Sequence, residues 1–132
     1  MELLVRARVY PTEDPEKVEK AVKNIFRLEV RREGDLLTGR GGGREPFARL
    51  HELLRSQGIL DAARHSIEAG LLEGRLRFFL NRQAAYMGLV NFVEEETKSL
   101  LGPIEVEVKG EDLPSLIRWL APRTEGGRIV ER

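Results

Sequence analysis

Arg75-Leu76-Arg77-Phe78-Phe79-Leu80-Asn81 reads as a strand running into a helix cap, and this stretch decides the fold. Leu76, Phe78 and Leu80 alternate with Arg75, Arg77, Phe79 and Asn81, so a period of two places three apolar side chains on one face. The Asn81 side chain is expected to accept a backbone N–H from the residues after it and so cap a short helical turn. Gly88 can end that turn because it tolerates positive φ. A second strand is expected over Leu89 to Val93. The stretch carries no catalytic constellation.

The pattern repeats on both sides. Leu3, Val5, Ala7 and Val9 alternate with Leu4, Arg6, Arg8 and Tyr10, which predicts a strand with one buried face and one basic, aromatic face. Asp14 as N-cap and Pro15 at the first helical position open a helix whose Val18, Ala21, Val22, Ile25 and Phe26 form a single apolar stripe. Glu13 with Lys17, Glu16 with Lys20 and Glu19 with Lys23 are spaced to support it as i,i+4 pairs. Leu28 to Arg32 and Leu36 to Arg40 read as a hairpin around Glu33-Gly34-Asp35. Glu45 and Pro46 then open a helix bearing Phe47, Leu50, Leu53 and Leu54, which Gly58 ends. Asp61 is expected to cap a further helix through Ala62, Ala63, Ile67 and Leu71, with Gly74 breaking the chain before the central strand. Downstream, an acidic connection begins at Glu94-Glu95-Glu96. Ile104, Val106 and Val108 alternate with Glu105, Glu107 and Lys109 in another strand, and Asp112 caps a last helix with Leu113, Leu116, Ile117 and Leu120 on one side. This order implies an α+β two-layer sandwich, a mostly antiparallel sheet with helices on one face and the other face open.

Length and composition set the class. The 132 residues fit one domain, 1–132, with a polar, glycine-bearing tail at 123–132 expected to be partly mobile. No apolar run approaches the roughly 20 residues a membrane helix needs, and the N-terminus lacks the layout of a signal peptide, so the expected location is the cytoplasm. Cysteine is absent, which removes disulfides, thiolate catalysis and cysteine-based zinc sites. Charged residues make up 33% of the chain, and arginine supplies 17 of the 22 basic positions, a balance that suggests a thermophilic source. Net charge is zero, so no global field recruits nucleic acid. Arg27 to Arg82 nevertheless carries eleven Arg against eight acids, while Gln83 to Ile117 carries seven acids against two Lys. That asymmetry reads first as ordinary solvated faces and second as a polarised surface.

Several stretches carry a functional reading beside a plain one. Gly39-Arg40-Gly41-Gly42-Gly43-Arg44 could bring backbone N–H groups to a phosphate or resemble an Arg-Gly-Gly RNA element, but it lacks a P-loop ending and reads better as a flexible hairpin-to-helix connector. His51 and His65 lie on separate predicted helices with no third ligand, so neither a metal site nor a Ser-His-Asp arrangement is expected. No cofactor and no catalytic activity are expected. On the outward strand faces, Arg6, Arg8 and Tyr10 are expected beside Arg75, Arg77 and Phe79, with Glu105, Glu107 and Lys109 sharing the surface. Arginines pair phosphates and aromatic rings stack on bases, so this face fits an RNA platform, an ion-paired sheet surface or a homodimer interface. Asn81-Arg82-Gln83 could hold an anion beside a capped turn, or satisfy nearby backbone groups.

Five blocks go further: Thr12-Glu13-Asp14-Pro15-Glu16-Lys17-Val18, Ile59-Leu60-Asp61-Ala62-Ala63-Arg64, Leu80-Asn81-Arg82-Gln83-Ala84-Ala85-Tyr86, Gly102-Pro103-Ile104-Glu105-Val106 and Trp119-Leu120-Ala121-Pro122-Arg123-Thr124. Together they resemble, in order and over nearly the whole chain, a small uncharacterised archaeal protein family labelled as predicted RNA-binding. That family often has Lys where this chain has Arg82. The resemblance implies a fold similar to the L-five-type large-subunit ribosomal protein and an RNA-associated role, and it implies no catalytic residues. The leading expectation is an RNA-binding or RNA-associated module contacting RNA through Arg6, Arg8, Tyr10, Arg75, Arg77, Phe79, Asn81, Arg82 and Gln83. The alternative is a homodimeric structural or regulatory protein that binds another protein.

Overall fold

Leu76, Phe78 and Leu80 are buried, while Arg75, Arg77 and Phe79 lie on the opposite face, as the alternation predicts. A computed structural model describes residues 1–94 and 102–130. Its elements in chain order are β1 (Glu2–Arg8), α1 (Pro15–Ile25), β2 (Val30–Glu33), β3 (Leu36–Gly42), α2 (Ala48–Ser56), α3 (Leu60–Ala69), β4 (Leu71–Leu72), β5 (Arg75–Leu80), α4 (Arg82–Tyr86), β6 (Phe92–Val93), β7 (Ile104–Lys109) and α5 (Leu113–Leu120). A separate two-stranded hairpin of β8 (Thr124–Glu125) and β9 (Arg128–Ile129) follows.

The strands of the main sheet run in the order β2-β3-β1-β7-β5-β4, with β6 also pairing β5, and every pairing is antiparallel. The helices lie on one side: Val22 and Ile25 of α1, Leu50 of α2, Ile67 of α3 and Leu116 of α5 join the inward side chains of β1, β5 and β7 in one core. The fold is therefore the expected α+β sandwich. Each fully buried Leu, Ile or Phe in that core contributes on the order of 1.5 to 3 kcal/mol relative to exposure.

The caps act as their chemistry dictates. Asp14 accepts from the Glu16 N–H, Asn81 from that of Ala84 and Asp112 from that of Ser115. Asn24 closes the other end of α4 by donating to the Ala85 and Tyr86 carbonyls, both at 3.0 Å.

Four local expectations are corrected. The glycine run is not a connector: β3 continues to Gly42, with Gly39 opposite Val5, Gly41 opposite Leu3 and Gly42 opposite Glu2. A Cβ on Gly39 would meet Leu28 Cδ1, and one on Gly41 would lie 2.7 Å from Pro46 Cγ, so the missing side chains are spaces that Leu28 and Pro46 fill. Asp61 does not cap α3. Ile59 holds that position, and Asp61 sits in the first turn where it accepts from the Thr124 hydroxyl and pairs with Arg64. The strand expected over Leu89 to Val93 shrinks to Phe92–Val93, because the Gln57 amide occupies the Val90 backbone, accepting from its N–H at 2.7 Å and donating to its C=O at 3.0 Å. Glu13 is not held by Lys17 but accepts from Arg82 and from the Tyr10 N–H. From Glu95, the expected acidic connection lies outside the described residues, as do the last two residues of the tail.

Candidate nucleic-acid interface

Strand β7 carries its charge pattern into the middle of the sheet. Glu105 is opposite Arg6 on one side and Phe79 on the other, while Glu107 is opposite Leu4 and Arg77. Because directly opposed residues share a face, these side chains lie together on the side away from the helices. Glu105 pairs with Arg6 and, diagonally, with Arg77 at 2.9 Å; Glu107 pairs with Arg75 at 3.0 Å. Arg77 also lies 5.0 Å from the centre of the Phe79 ring. Partial burial pushes the Glu105 carboxyl up, but hydrogen bonds and charge from Arg77 and Arg6 outweigh it and hold the group below its ordinary range. It stays ionised at neutral pH.

The predicted arginines are thus brought together, and β7 neutralises much of them. Arg8, at the strand end, pairs only loosely with Asp35 at 3.7 Å, both side chains being exposed. Three further cations on the same face have no ion pair among the described residues: Arg31, opposite Thr38; Arg40, opposite Leu4; and Lys109, opposite Glu2 and Arg75. Arg40 and Lys109 flank a hollow of about 410 Å³ over Leu4, Gly42 and the carboxylates Glu2 and Glu107, where Gly42 contributes no side chain. Sequence reasoning placed Lys109 on this face but left Arg40 at the end of a strand running into a connector, without assigning it to a face. Its signal was parity, since Arg40 follows Thr38 by two positions in a strand whose alternate residues are glycine.

Arg82 is elsewhere. Its guanidinium is 5% exposed, and it donates to the Gly102 carbonyl at 2.6 Å, the Arg8 carbonyl at 2.6 Å and both Glu13 oxygens at 2.8 and 3.0 Å. Tyr10 covers it, its ring centre 5.8 Å away. Asn81 spends its side-chain oxygen on the α4 cap, and Gln83 is exposed on that helix. So Arg6, Arg8, Arg75, Arg77 and Phe79 share one surface, while Tyr10, Asn81 and Arg82 build the joint between β1, α4 and the entry to β7.

A UPF0201 protein of Thermococcus kodakarensis is 44% identical to this chain over 135 residues, covering 98% of this chain and 96% of that protein. One from Methanopyrus kandleri is 47% identical over 136 residues, covering 92% and 85%. The chain belongs to the UPF0201 family. A solved UPF0201 structure from Methanococcus jannaschii superposes with a TM-score of 0.81 at 38% identity, covering 99% of this chain and 100% of that one. The sequence model of a family described as RNA binding matches residues 2–110. That span holds every strand of the main sheet and stops before α5. These UPF0201 relatives come from archaea, as the resemblance implied.

Proposed function

We propose that this protein is an RNA-binding module that meets single-stranded RNA on the open face of its sheet and performs no catalysis of its own. The observation that carries the reading is the pair of cations without an ion pair among the described residues, Arg40 and Lys109, beside a hollow on a face that also presents Phe79 and the paired Arg6, Arg75 and Arg77. Phosphates would dock first on Arg31, Arg40 and Lys109, which form no ion pair among the described residues although Glu2 and Glu107 line the same hollow, and then compete with Glu105 and Glu107 for the inner arginines. Phe79 offers a ring for a base. The family description as RNA binding supports the same reading. In this reading the protein works in the cytoplasm and shares its architecture with the L-five-type ribosomal protein. Arg82, Tyr10 and Asn81 position strands and leave RNA contact to the sheet, with Gln83 at the periphery.

The test compares binding of a single-stranded RNA by Arg40→Ala/Lys109→Ala and by Lys17→Ala/Lys20→Ala across a salt series. The first pair should weaken binding and flatten the salt slope by roughly 1 to 2 units, at slightly under one unit per phosphate contact. The second pair, on the other layer, should do little. Equal losses from both would mean diffuse attraction and no sheet-face site. The same face could instead be covered by a second copy of the chain. Light scattering of RNA-free protein over a wide dilution range separates the two, since a dimer that RNA dissociates would place both on one surface.

A further inference from the structure

The helix layer holds a cleft of about 660 Å³ between α5, the end of β4 and the C-terminal hairpin. Arg44, Arg55, Arg64, Arg118 and Arg123 line it, and Glu68 is the only acidic lining residue among the described residues. On a chain of zero net charge, where most arginines of the sheet face have found carboxylates, this concentration is out of balance. Two of the five are fixed by the backbone. Arg55 donates to the Trp119 and Leu120 carbonyls, and Arg64 donates to the Pro122 carbonyl, so both anchor the end of α5. Arg44 lies over the Trp119 ring, 5.2 Å from its centre, and reaches the Ser115 hydroxyl at 3.1 Å. The same ring is stacked on His51 at 4.4 Å. Arg118 and Arg123 are exposed at the rim with no ion pair among the described residues.

Such an arrangement focuses positive potential into a concave site, and several guanidinium forks lining one cleft suit a compact dianion better than evenly spaced diesters. Most of the remaining lining is apolar, Leu71, Pro114 and Ile117 among it. Its volume falls within the usual range for small-ligand pockets. We infer that this cleft binds a nucleoside monophosphate group, its phosphate on Arg44, Arg118 and Arg123 and its base against Pro114 and Ile117. The source is either a free mononucleotide or the phosphorylated end of an RNA strand. The site lies partly beyond residues 2–110, and binding of a free mononucleotide there does not depend on the sheet-face reading.

Trp119 is the single tryptophan and reports directly on the cleft. Its fluorescence, with calorimetry on the same samples in case the ring environment stays constant, would be followed on adding adenosine 5′-monophosphate, adenosine, inorganic phosphate, and a short RNA with a 5′-phosphate or a 5′-hydroxyl. The expected result is saturable binding of the monophosphate in preference to both adenosine and inorganic phosphate. Arg118→Ala and Arg123→Ala should each weaken it on the order of tenfold, the loss of one charge-assisted hydrogen bond. Arg40→Ala/Lys109→Ala should leave it intact even if it abolishes RNA binding on the sheet. Preference for the 5′-phosphorylated RNA over its hydroxyl twin assigns the ligand to a strand end. Saturation by the mononucleotide with the two RNAs alike assigns it to a free nucleotide. Inorganic phosphate binding as well as the mononucleotide overturns the assignment, because the apolar wall is then unused. So does the absence of any binding by the mononucleotide and the phosphorylated RNA, or binding indifferent to both arginine replacements.

Discussion

Arg82 Nη1 lies 2.8 and 3.0 Å from the two carboxylate oxygens of Glu13, a residue 69 positions earlier, and the pair is almost wholly enclosed. The same guanidinium reaches the last carbonyl of β1 and the Gly102 carbonyl before β7, so three chain segments meet on one side chain. Arg82→Met would leave the Glu13 carboxylate buried without its partner and should cost about 3 to 5 kcal/mol. Adding Glu13→Gln should recover part of that loss, which a double-mutant cycle from urea denaturation would measure. Simple additivity would mean that the two residues do not act as a pair.

Glu105 restrains Arg6 and Arg77, and removing its charge releases them. Glu105→Gln should therefore tighten RNA binding and steepen its salt dependence by about one to two units. Binding that weakens would show that the glutamate organises the arginines for the ligand rather than competing with it.

The same carboxyl makes stability depend on pH. Its folded pKa is depressed below the ordinary 4.5, so the stabilisation is present above that value and is lost as pH falls through the lower folded value. Unfolding free energies of the wild type and Glu105→Gln should differ near neutrality by about 1 kcal/mol or less and converge on acidification, because the pair is partly exposed and screened.

Replacing Gly41 and Gly42, both in β3, tests whether this run is a packed strand. Gly41→Ala would push a methyl group against the rigid ring of Pro46 and should destabilise the fold by about 1 to 3 kcal/mol. Gly42→Ala faces the open side, with its nearest contact at 3.6 Å, and should stay within about 0.5 kcal/mol. Thermal melts of the two variants that coincide would contradict this packing.

Phe78 is 3% exposed, and its ring centre lies 5.6 Å from that of Phe92. Phe78→Ala should cost about 3 to 5 kcal/mol in urea unfolding. An unchanged midpoint would put this side chain on the outer face and reverse the sheet.

The elements that sequence reading located were those with local signatures. β1, β5 and β7 alternate cleanly, and α1, α4 and α5 begin at Asp14, Asn81 and Asp112, whose side chains form their caps within a few residues. What escaped it depends on distant partners. Nothing near Arg82 announces that Glu13, Arg8 and Gly102 surround it, and an arginine in a polar stretch reads as exposed until those neighbours are in place. The glycines of β3 gave no apolar rhythm because the volume beside them is filled by Leu28 and Pro46. Gln57 took the place of a strand partner for Val90 from a helix 33 residues away, which no window of sequence can reveal. On the outer face, parity located Arg6, Arg75 and Arg77 correctly, but their neutralisation needed the register of β7.

That register also gives the sheet a temporal order. The strand at its centre comes from residues 104–109, whereas its two neighbours come from 2–8 and 75–80. During synthesis both neighbours therefore leave the ribosome with an edge unpaired, and the two halves of the sheet wait for a late acidic strand to join them. Arginines line the gap on the outer side and apolar residues on the inner side, so a one-residue slip would carry Glu105 and Glu107 into the core. Charge thus serves as a key for the last insertion, and a nascent chain halted before residue 104 would be the form most exposed to edge-to-edge association.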